Sequence, residues 1–461
     1  MAEYLNLYIV GGWRPAGKGA PREFRCPADG RLVAMGAEGS TADMHAAIAA
    51  AREAFDTGPR PERQRADVLR RTAGIGGTEA GHVVDADKVD AISGPVREPV
   101  GVCRLITHSN YPLLQPIRQD APALLAGNTV VLKPSELTPS TAALPMRALE
   151  ETGLPAGVAN LILGAGPTAG VPLSEHPDVD MASFTGGVPS GTRVMAPAAP
   201  AVKRVALEFG GKNPNGVFAD ADFETAVDFA LTAVFLHSGQ VFGRRPAHHR
   251  RAVIARSVRR RGCRTRRADH ARRAIRSGRR YRPTDLGRPR DKFKAYVDAG
   301  LAEGAVLRCG GRRPEDAHLR DGSFYPRTVL DGFHSGMSAT QDESFGPVLA
   351  VETFTDEDEA VRLPNHTVYG LAEAVWTRDT RKAQRVANRL RHGTLWINDY
   401  HPYVPQVKWG GMKRSGNGRE LSRVGLDEYG EIKHIWQNAN PRPERWFRGA
   451  TAFRSTDSPR S

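Results

Sequence analysis

Between residues 5 and 36, short apolar pairs alternate with polar turn residues. With Gly-Gly at 11–12 and Pro-Ala-Asp-Gly at 27–30, this pattern predicts short strands and tight turns. Ser40 and Asp43 then stand three apart, as a capping box requires. Met44, Ala47, Ile48, Ala51 and Phe55 follow at helical spacing. The stretch 58–94 is weakly patterned, and Gly-Ile-Gly-Gly at 74–77 ends a helical run. From residue 96 the pattern sharpens. Thr129–Leu132 predicts a strand. Thr138 as N-cap and Pro139 at the first helical position open a helix that runs to about Thr152, stopped by Gly153 and Pro155. Val158–Leu163, Ala182–Phe184 and Val205–Leu207 predict further strands, with a helix at Val194–Ala199 between the last two. Strands alternating with helices predict a parallel, doubly wound sheet. Residues 243–283 break every pattern. Order returns at Phe293–Gly300 and continues through Ala383–Leu390 and Thr394–Ile397. From Asn440 onward the chain is polar, rich in Pro, Arg and Ser, and expected to be disordered.

The 461 residues suffice for two or three domains with a large core, and a hydrophobic content of 40% is ordinary for a globular protein. No apolar run reaches the roughly 18 residues that cross a bilayer. The N-terminal sequence lacks the basic and apolar regions of a signal peptide. Cys26, Cys103, Cys263 and Cys309 are scattered without CxxC spacing, which fits a reducing cytoplasm. The net charge of +14 suggests nucleic acid until it is located. Residues 243–283 hold 17 arginines, no lysine and one acid, Asp269, for a net of +16, which leaves the rest of the chain at −2. One segment makes the protein basic, and the remainder has the balance of a cytosolic enzyme.

Three segments carry candidate chemistry. Ser183-Phe-Thr-Gly-Gly-Val-Pro-Ser-Gly191 places Gly186, Gly187 and Gly191 between a strand and a helix. Glycines there let backbone approach a pyrophosphate at a helix N-terminus, although a tight turn needs them equally. Glu208, in Leu207-Glu-Phe-Gly-Gly-Lys-Asn-Pro-Asn215, follows an apolar strand. A carboxylate so placed can serve as a general base with a raised pKa, or simply precede a turn at the surface. Asn110, in Ser109-Asn-Tyr-Pro-Leu-Leu114, offers an amide donor for an oxyanion, or forms a turn before Tyr-Pro.

Read together, these segments resemble the aldehyde dehydrogenase family. Val96-Arg-Glu-Pro-Val-Gly-Val, Asn110-Tyr-Pro-Leu-Leu, Ala126-Gly-Asn-Thr-Val-Val-Leu-Lys-Pro-Ser-Glu136, Ser183-Phe-Thr-Gly-Gly, Leu207-Glu-Phe-Gly-Gly-Lys and Glu343-Ser-Phe-Gly-Pro-Val348 occur in that family's order. The match covers most of 5–242 and 285–436. Trp396-Ile-Asn-Asp-Tyr-His-Pro-Tyr403 and Trp409-Gly-Gly-Met-Lys-Arg-Ser-Gly416 are most similar to bacterial betaine-aldehyde dehydrogenases. The resemblance implies an α/β fold: a doubly wound parallel-sheet NAD-binding domain over 1–208, with an arm segment at about 81–99; an α/β catalytic domain over 209–420; and a small β oligomerisation arm closing at 421–439. It implies that Lys133 and Glu136 hold the adenosine ribose, with Glu136 favouring NAD over NADP. Gly166 and Pro167 would border the adenine, Gly186, Gly187 and Gly191 the pyrophosphate, and Glu343 with Phe345 the nicotinamide ribose. Asn110 would donate to the oxyanion and Glu208 would activate water. Tyr400, Tyr403 and Trp409 would offer aromatic faces to a trimethylammonium aldehyde, or pack at a strand end. No metal is implied. The expected partners are a small aldehyde and further copies of the chain, as a homodimer or homotetramer, in the cytoplasm.

The resemblance fails at its chemical centre. The family's nucleophile lies in Gly-Gln-x-Cys, 34 residues after the base glutamate, and here that segment is Gly239-Gln-Val-Phe242. Phenylalanine cannot form a thiohemiacetal. Back-translated with CGN arginine codons and read one base later, Phe242–Arg250 permits Ser-Ala-Gly-Ala-Arg-Leu-Ile-Ile, the sequence expected after the family's cysteine. The arginine-rich run therefore reads as a frame slip, restored near Thr284-Asp-Leu-Gly287. Its rival is a basic insert for nucleic acid, which has only Tyr281 as an interleaved aromatic. The region between Thr72 and Val96 is also short for the family. Ser109 and Arg118 stand where the family commonly has tryptophan. Three readings follow: an impaired aldehyde dehydrogenase, a non-catalytic relative that binds NAD or assembles with intact subunits, and a basic binding protein.

Overall fold

A computed structural model describes residues 3–17, 19–58, 90–241, 247–249, 287–314, 319 and 322–443. Contacts divide the chain into two compact units, Met1–Gly77 with Pro99–Gly430, and Thr78–Glu98 with Glu431–Ser461.

The first unit holds two seven-stranded sheets. One runs in the order Arg204–Phe209, Met181–Gly186, Val102–Ile106, Thr129–Lys133, Ala159–Leu161, Leu7–Ile9, Gly12–Arg14. The first five strands are parallel, and the N-terminal hairpin closes the edge antiparallel. Val130, Val131 and Leu132 are fully buried in succession, because helices cover both faces of a parallel sheet. The helix Thr41–Thr57 inserts Met44, Ala47, Ile48 and Ala51 into that core. Its capping box forms as expected: Ser40 Oγ accepts from the Asp43 amide, and Asp43 Oδ2 accepts from the Ser40 amide at 2.9 Å.

The sequence placed the other elements closely, with instructive differences. The helix at Pro139–Glu151 has proline at its first position, but the Thr138 hydroxyl makes no cap, because this residue adopts φ −140°, ψ 49°. The helix expected at Val194–Ala199 instead starts at Val188 and ends at Met195, followed by a 3-10 turn at Ala196–Ala198. Pro189 at its start pre-sets the helical φ, a signal that periodicity overlooked.

The second sheet runs Val306–Cys309, Thr328–Phe333, Val348–Thr353, Ala247–His249, Asn215–Val217, Ala372–Trp376, Thr394–Ile397. Only its first strand is antiparallel to its neighbour. The expectation that 243–283 carries no pattern needs correction at Ala247–His249, which pairs with Asn215–Val217 on one side and Val351–Thr353 on the other. Ladder hydrogen bonds are made by backbone, so three residues without apolar patterning can still pair between two strands. Phe242, the rest of the arginine-rich run, 59–89 and the tail beyond 443 lie outside the described residues. Cys309 is disulfide-bonded, which the scattered cysteines did not predict.

In the second unit, Ala91–Pro99 pairs with Gly430–Asn438. Ser93 Oγ and His434 Nε2 are 2.8 Å apart, and Lys433 is ion-paired with Glu98. Among the described residues no helix is long and apolar enough to cross a membrane.

Replacing the cap, Ser40→Ala, is expected to lower stability by about 1 kcal/mol, read as a shift of the urea midpoint. An unchanged midpoint would show that the helix does not depend on this cap.

Candidate active site

Glu208 sits at the end of the edge strand Arg204–Phe209 and is 3% exposed. Burial, reinforced by the neighbouring Glu420, pushes its carboxyl well above the ordinary range, with Arg118 and Arg419 drawing it partly back. Neither oxygen has a hydrogen-bond partner among the described residues. Space for it is kept by Gly410, at φ +150°, where a Cβ would stand 2.6 Å from Glu208 Oε1. A buried, unengaged carboxyl with a raised pKa can take a proton from water at neutral pH. The reading of Glu208 as a surface residue is thereby set aside.

Asn110 follows the strand Val102–Ile106 and is buried. Its Nδ2 donates to the backbone carbonyl of Gln240 at 3.1 Å, and its Oδ1 lies 3.2 Å from His108 Nδ1. Burial pushes the His108 pKa down to about 4, so the imidazole is neutral at pH 7. An amide nitrogen carries two N–H groups, and among the described residues Gln240 takes only one, leaving a donor for an oxyanion. Next along the chain, the Tyr111 and His237 rings lie 4.8 Å apart. His237, Ser238 and Gly239 all have positive φ, a tight reversal that brings Gln240 back to Asn110. The segment Gly239-Gln-Val therefore reaches the site as the resemblance implies, and Phe242 is the next residue. Among the described cysteines, none is a poised thiolate. Cys103 is fully buried mid-strand, its thiol pushed up by burial; Cys26 lies in a turn with Arg31; Cys309 is bonded.

The residues assigned to the adenosine end gather at the carboxyl ends of the strands Thr129–Lys133 and Ala159–Leu161, where open α/β sheets bind ligands. Lys133 Nζ is buried, 3.0 Å from the Pro134 carbonyl and 3.5 Å from Glu136 Oε2. The turn Gly166–Gly170, which includes Pro167, is anchored by Glu38, which accepts from the Ala165 amide at 2.8 Å and pairs with Arg22 at 2.6 Å. A Cβ at Gly166 would meet nothing within 4 Å, so this turn faces open space.

The three glycines of the 183–191 segment divide. Gly187 caps the helix Val188–Met195, and a Cβ there would be in ordinary contact with Pro189 Cδ at 3.9 Å. A Cβ at Gly191 would fall 2.0 Å from the Phe209 ring, and one at Gly186 would fall 2.5 Å from the Phe184 ring. Gly191 therefore allows close helix–strand packing, and Gly187 presents the helix N-terminus. Glu343 lies against Gly210, just beyond the strand that carries Glu208, where a Cβ would stand 2.2 Å from Glu343 Oε1. Phe345 turns its ring edge to His108, centroids 5.2 Å apart.

Tyr400 and Trp409 are buried in the core of the second sheet with Trp396, so packing accounts for both. Tyr403 differs. Its ring packs on Trp409 at 5.4 Å and lies within electrostatic range of Glu208 and Tyr111, and its phenol oxygen has no partner among the described residues. Sequence reasoning missed three residues. Glu420 exchanges two backbone hydrogen bonds with Trp409 and accepts from Thr185 at 3.1 Å. Gly410 makes room for the base. Lys212 donates to the Ala339 and Asp342 carbonyls at 2.9 and 2.8 Å, fixing the loop ahead of Glu343. Lys212 and Gly410 stood within the quoted motifs, but a buried lysine bound to carbonyls has no one-dimensional signature.

The sequence profile of the Aldehyde dehydrogenase family matches residues 63–435. A betaine aldehyde dehydrogenase of Bacillus subtilis (strain 168) is 43% identical over 491 residues, spanning 96% of this chain and 99% of that protein. A chloroplastic betaine aldehyde dehydrogenase of Beta vulgaris is 40% identical, spanning 77% of this chain and 70% of that protein. The crystal structure of betaine aldehyde dehydrogenase from Staphylococcus aureus in complex with NAD+ superposes with a TM-score of 0.89 at 38% identity, covering 96% of each chain.

Because the folded state holds the Glu208 proton at pH values where the unfolded chain has released it, this group makes stability fall as pH rises above the ordinary carboxyl value, by about 1.4 kcal/mol per pH unit. Glu208→Gln removes that term. Relative to the unaltered chain it should raise the thermal midpoint more at pH 8 than at pH 5. Equal differences at both values would place Glu208 in water.

Proposed function

The chain belongs to the aldehyde dehydrogenase family, and we propose that it retains the apparatus for NAD-dependent oxidation of an aldehyde to a carboxylic acid, on the plan of the betaine aldehyde dehydrogenases, without the thiolate that starts the reaction. The observation that carries this reading is the Asn110–Gln240 hydrogen bond, which seats the oxyanion donor beside a segment whose next reactive position is Phe242.

In the family's reaction a thiolate adds to the carbonyl, the adduct gives up hydride, and water hydrolyses the thioester. Asn110 donates to the oxygen that gains charge in addition and hydrolysis. Glu208 takes the proton of the attacking water, and its burial with Glu420 sets its affinity for that proton. Open space at Gly166 and the helix N-terminus at Gly187, with the buried Lys133 beside the half-buried Glu136, fit a dinucleotide. Lys133 and Glu136 would hold the adenosine ribose, Gly166 and Pro167 the adenine, Gly186, Gly187 and Gly191 the pyrophosphate side, and Glu343 with Phe345 the nicotinamide ribose. Arg22 is engaged by Glu38, which favours NAD over NADP. NAD supplies the hydride acceptor. A benzyl side chain at 242 removes the first step and leaves these binding groups in place.

A second reading follows from the arm. Ile432 and Trp436, four residues apart and so on one face of the strand Gly430–Asn438, are exposed, as is Ile435 on the other face, and this apolar surface suits another copy of the chain. A non-catalytic subunit that binds NAD and assembles into dimers or tetramers in the cytoplasm is consistent with it. The basic-protein reading rests on the arginine-rich run alone.

The unaltered chain should bind NAD, with Lys133→Ala weakening binding about tenfold, as read by quenching of tryptophan fluorescence. Phe242→Cys alone should stay near background, because the residues after it are foreign. Replacing 242–283 by its shifted-frame reading should raise turnover by about 10⁶. Full activity from Phe242→Cys alone would show the following loop to be dispensable, and absence of NAD binding would defeat the cofactor assignment.

A further inference from the structure

Arg118 projects from the helix Leu114–Leu125, and its side chain is 5% exposed. Its guanidinium is ion-paired with Glu420 and lies over the ring of Tyr403, 5.1 Å from the centroid. It also lies close enough to Glu208 and to the Tyr403 hydroxyl to lower the pKa of both. A face of Tyr403, a ring within electrostatic range of the base carboxyl, is therefore already occupied by a cation belonging to the protein.

An aromatic face attracts one cation at a time. A quaternary ammonium gains its cation–π energy only from a free face and has no N–H with which to reach Glu420 in place of the guanidinium. Arg118 cannot escape by deprotonation, and its buried ion pair fixes it in position. A trimethylammonium aldehyde would thus meet like charge where it needs an electron-rich ring. An uncharged aldehyde of the same shape needs no electron-rich face and meets no such repulsion. The Arg118 charge is balanced by Glu420, so no net field draws in an anionic substrate either.

We propose that Arg118 is the specificity-determining residue of this chain's aldehyde site: with its own guanidinium it takes the Tyr403 face that a trimethylammonium group would use, so the site accepts uncharged aldehydes and excludes quaternary-ammonium ones. The inference rests on the assignment of Tyr403 to the substrate site. It separates this chain from the relatives it most resembles in the charge of the substrate and leaves the class of reaction unchanged.

Binding tests it without turnover, so Phe242 does not interfere. The probes are choline and its carbon isostere 3,3-dimethylbutan-1-ol, which match in shape, differ by one charge and cannot add to a nucleophile. Each is titrated calorimetrically into the full chain with NAD present. The uncharged alcohol should bind at least tenfold more tightly. In Arg118→Gln, and in Arg118→Gln/Glu420→Gln, which leaves no unpaired buried charge, that ratio should fall tenfold or more. Circular dichroism confirms folding of each variant. Equal or tighter binding of choline to the unaltered chain overturns the proposal with no variant needed, as does a ratio unmoved in either folded variant. Failure of both alcohols to bind, with NAD still bound, overturns it differently, by removing the substrate from Tyr403.

Discussion

The chemistry of this protein depends on one buried hydrogen bond, from Asn110 Nδ2 to the carbonyl of Gln240. Asn110 extends from a strand of the first sheet, and Gln240 follows the helix that leads away from the second. The bond joins the two where neither amide nor carbonyl can turn to water, and a buried polar group left alone is costly. The left-handed turn at His237–Gly239 brings the Gln240 carbonyl to Asn110. The described segment ends one residue later, at Val241, and the next position in the sequence is Phe242.

Around that bond lie buried charges of the kind that the proposed reaction would use. Glu208 is buried, unengaged among the described residues and raised in pKa. Glu420 and Arg118 form a second buried pair beside it. Buried charge of this kind contributes little net stability, and its retention is easier to understand as the remnant or partner of a working site. A frame slip confined to 242–283 would leave such groups intact, because they come from segments on either side of it. The strand at Ala247–His249 pairs on both sides through its backbone: pairing needs amides and carbonyls in register, and any non-proline residue has both.

Much of this was legible in the sequence. The capping box at Ser40 and Asp43, the parallel strands and the helix Pro139–Glu151 followed from period, cap, proline and glycine, all of which are local, whereas the helix after Gly187 was expected six residues too late. The placement of Glu208 followed from the resemblance and was given its physical content by burial. What escaped notice was long-range. Lys212 looks like a surface lysine until Ala339 and Asp342 close over it. Gly410 reads as a turn residue until Glu208 is placed 2.6 Å from where its Cβ would be. Thr138 had the right identity for a cap and the wrong backbone angles. Tyr400, Tyr403 and Trp409 were alike in sequence, and only packing separates the two that fill the core from the one that faces the base.

The central claim concerns a covalent step, and a rapid-mixing experiment addresses it directly. The unaltered chain, saturated with NAD, is mixed with an excess of an uncharged aldehyde, and absorbance at the NADH band is followed through the first turnover. Without a thiolate at 242 no burst should appear, because hydride leaves only from a covalent adduct. A burst approaching one NADH per subunit would mean that some other group has formed that adduct, and that Phe242 does not silence the site.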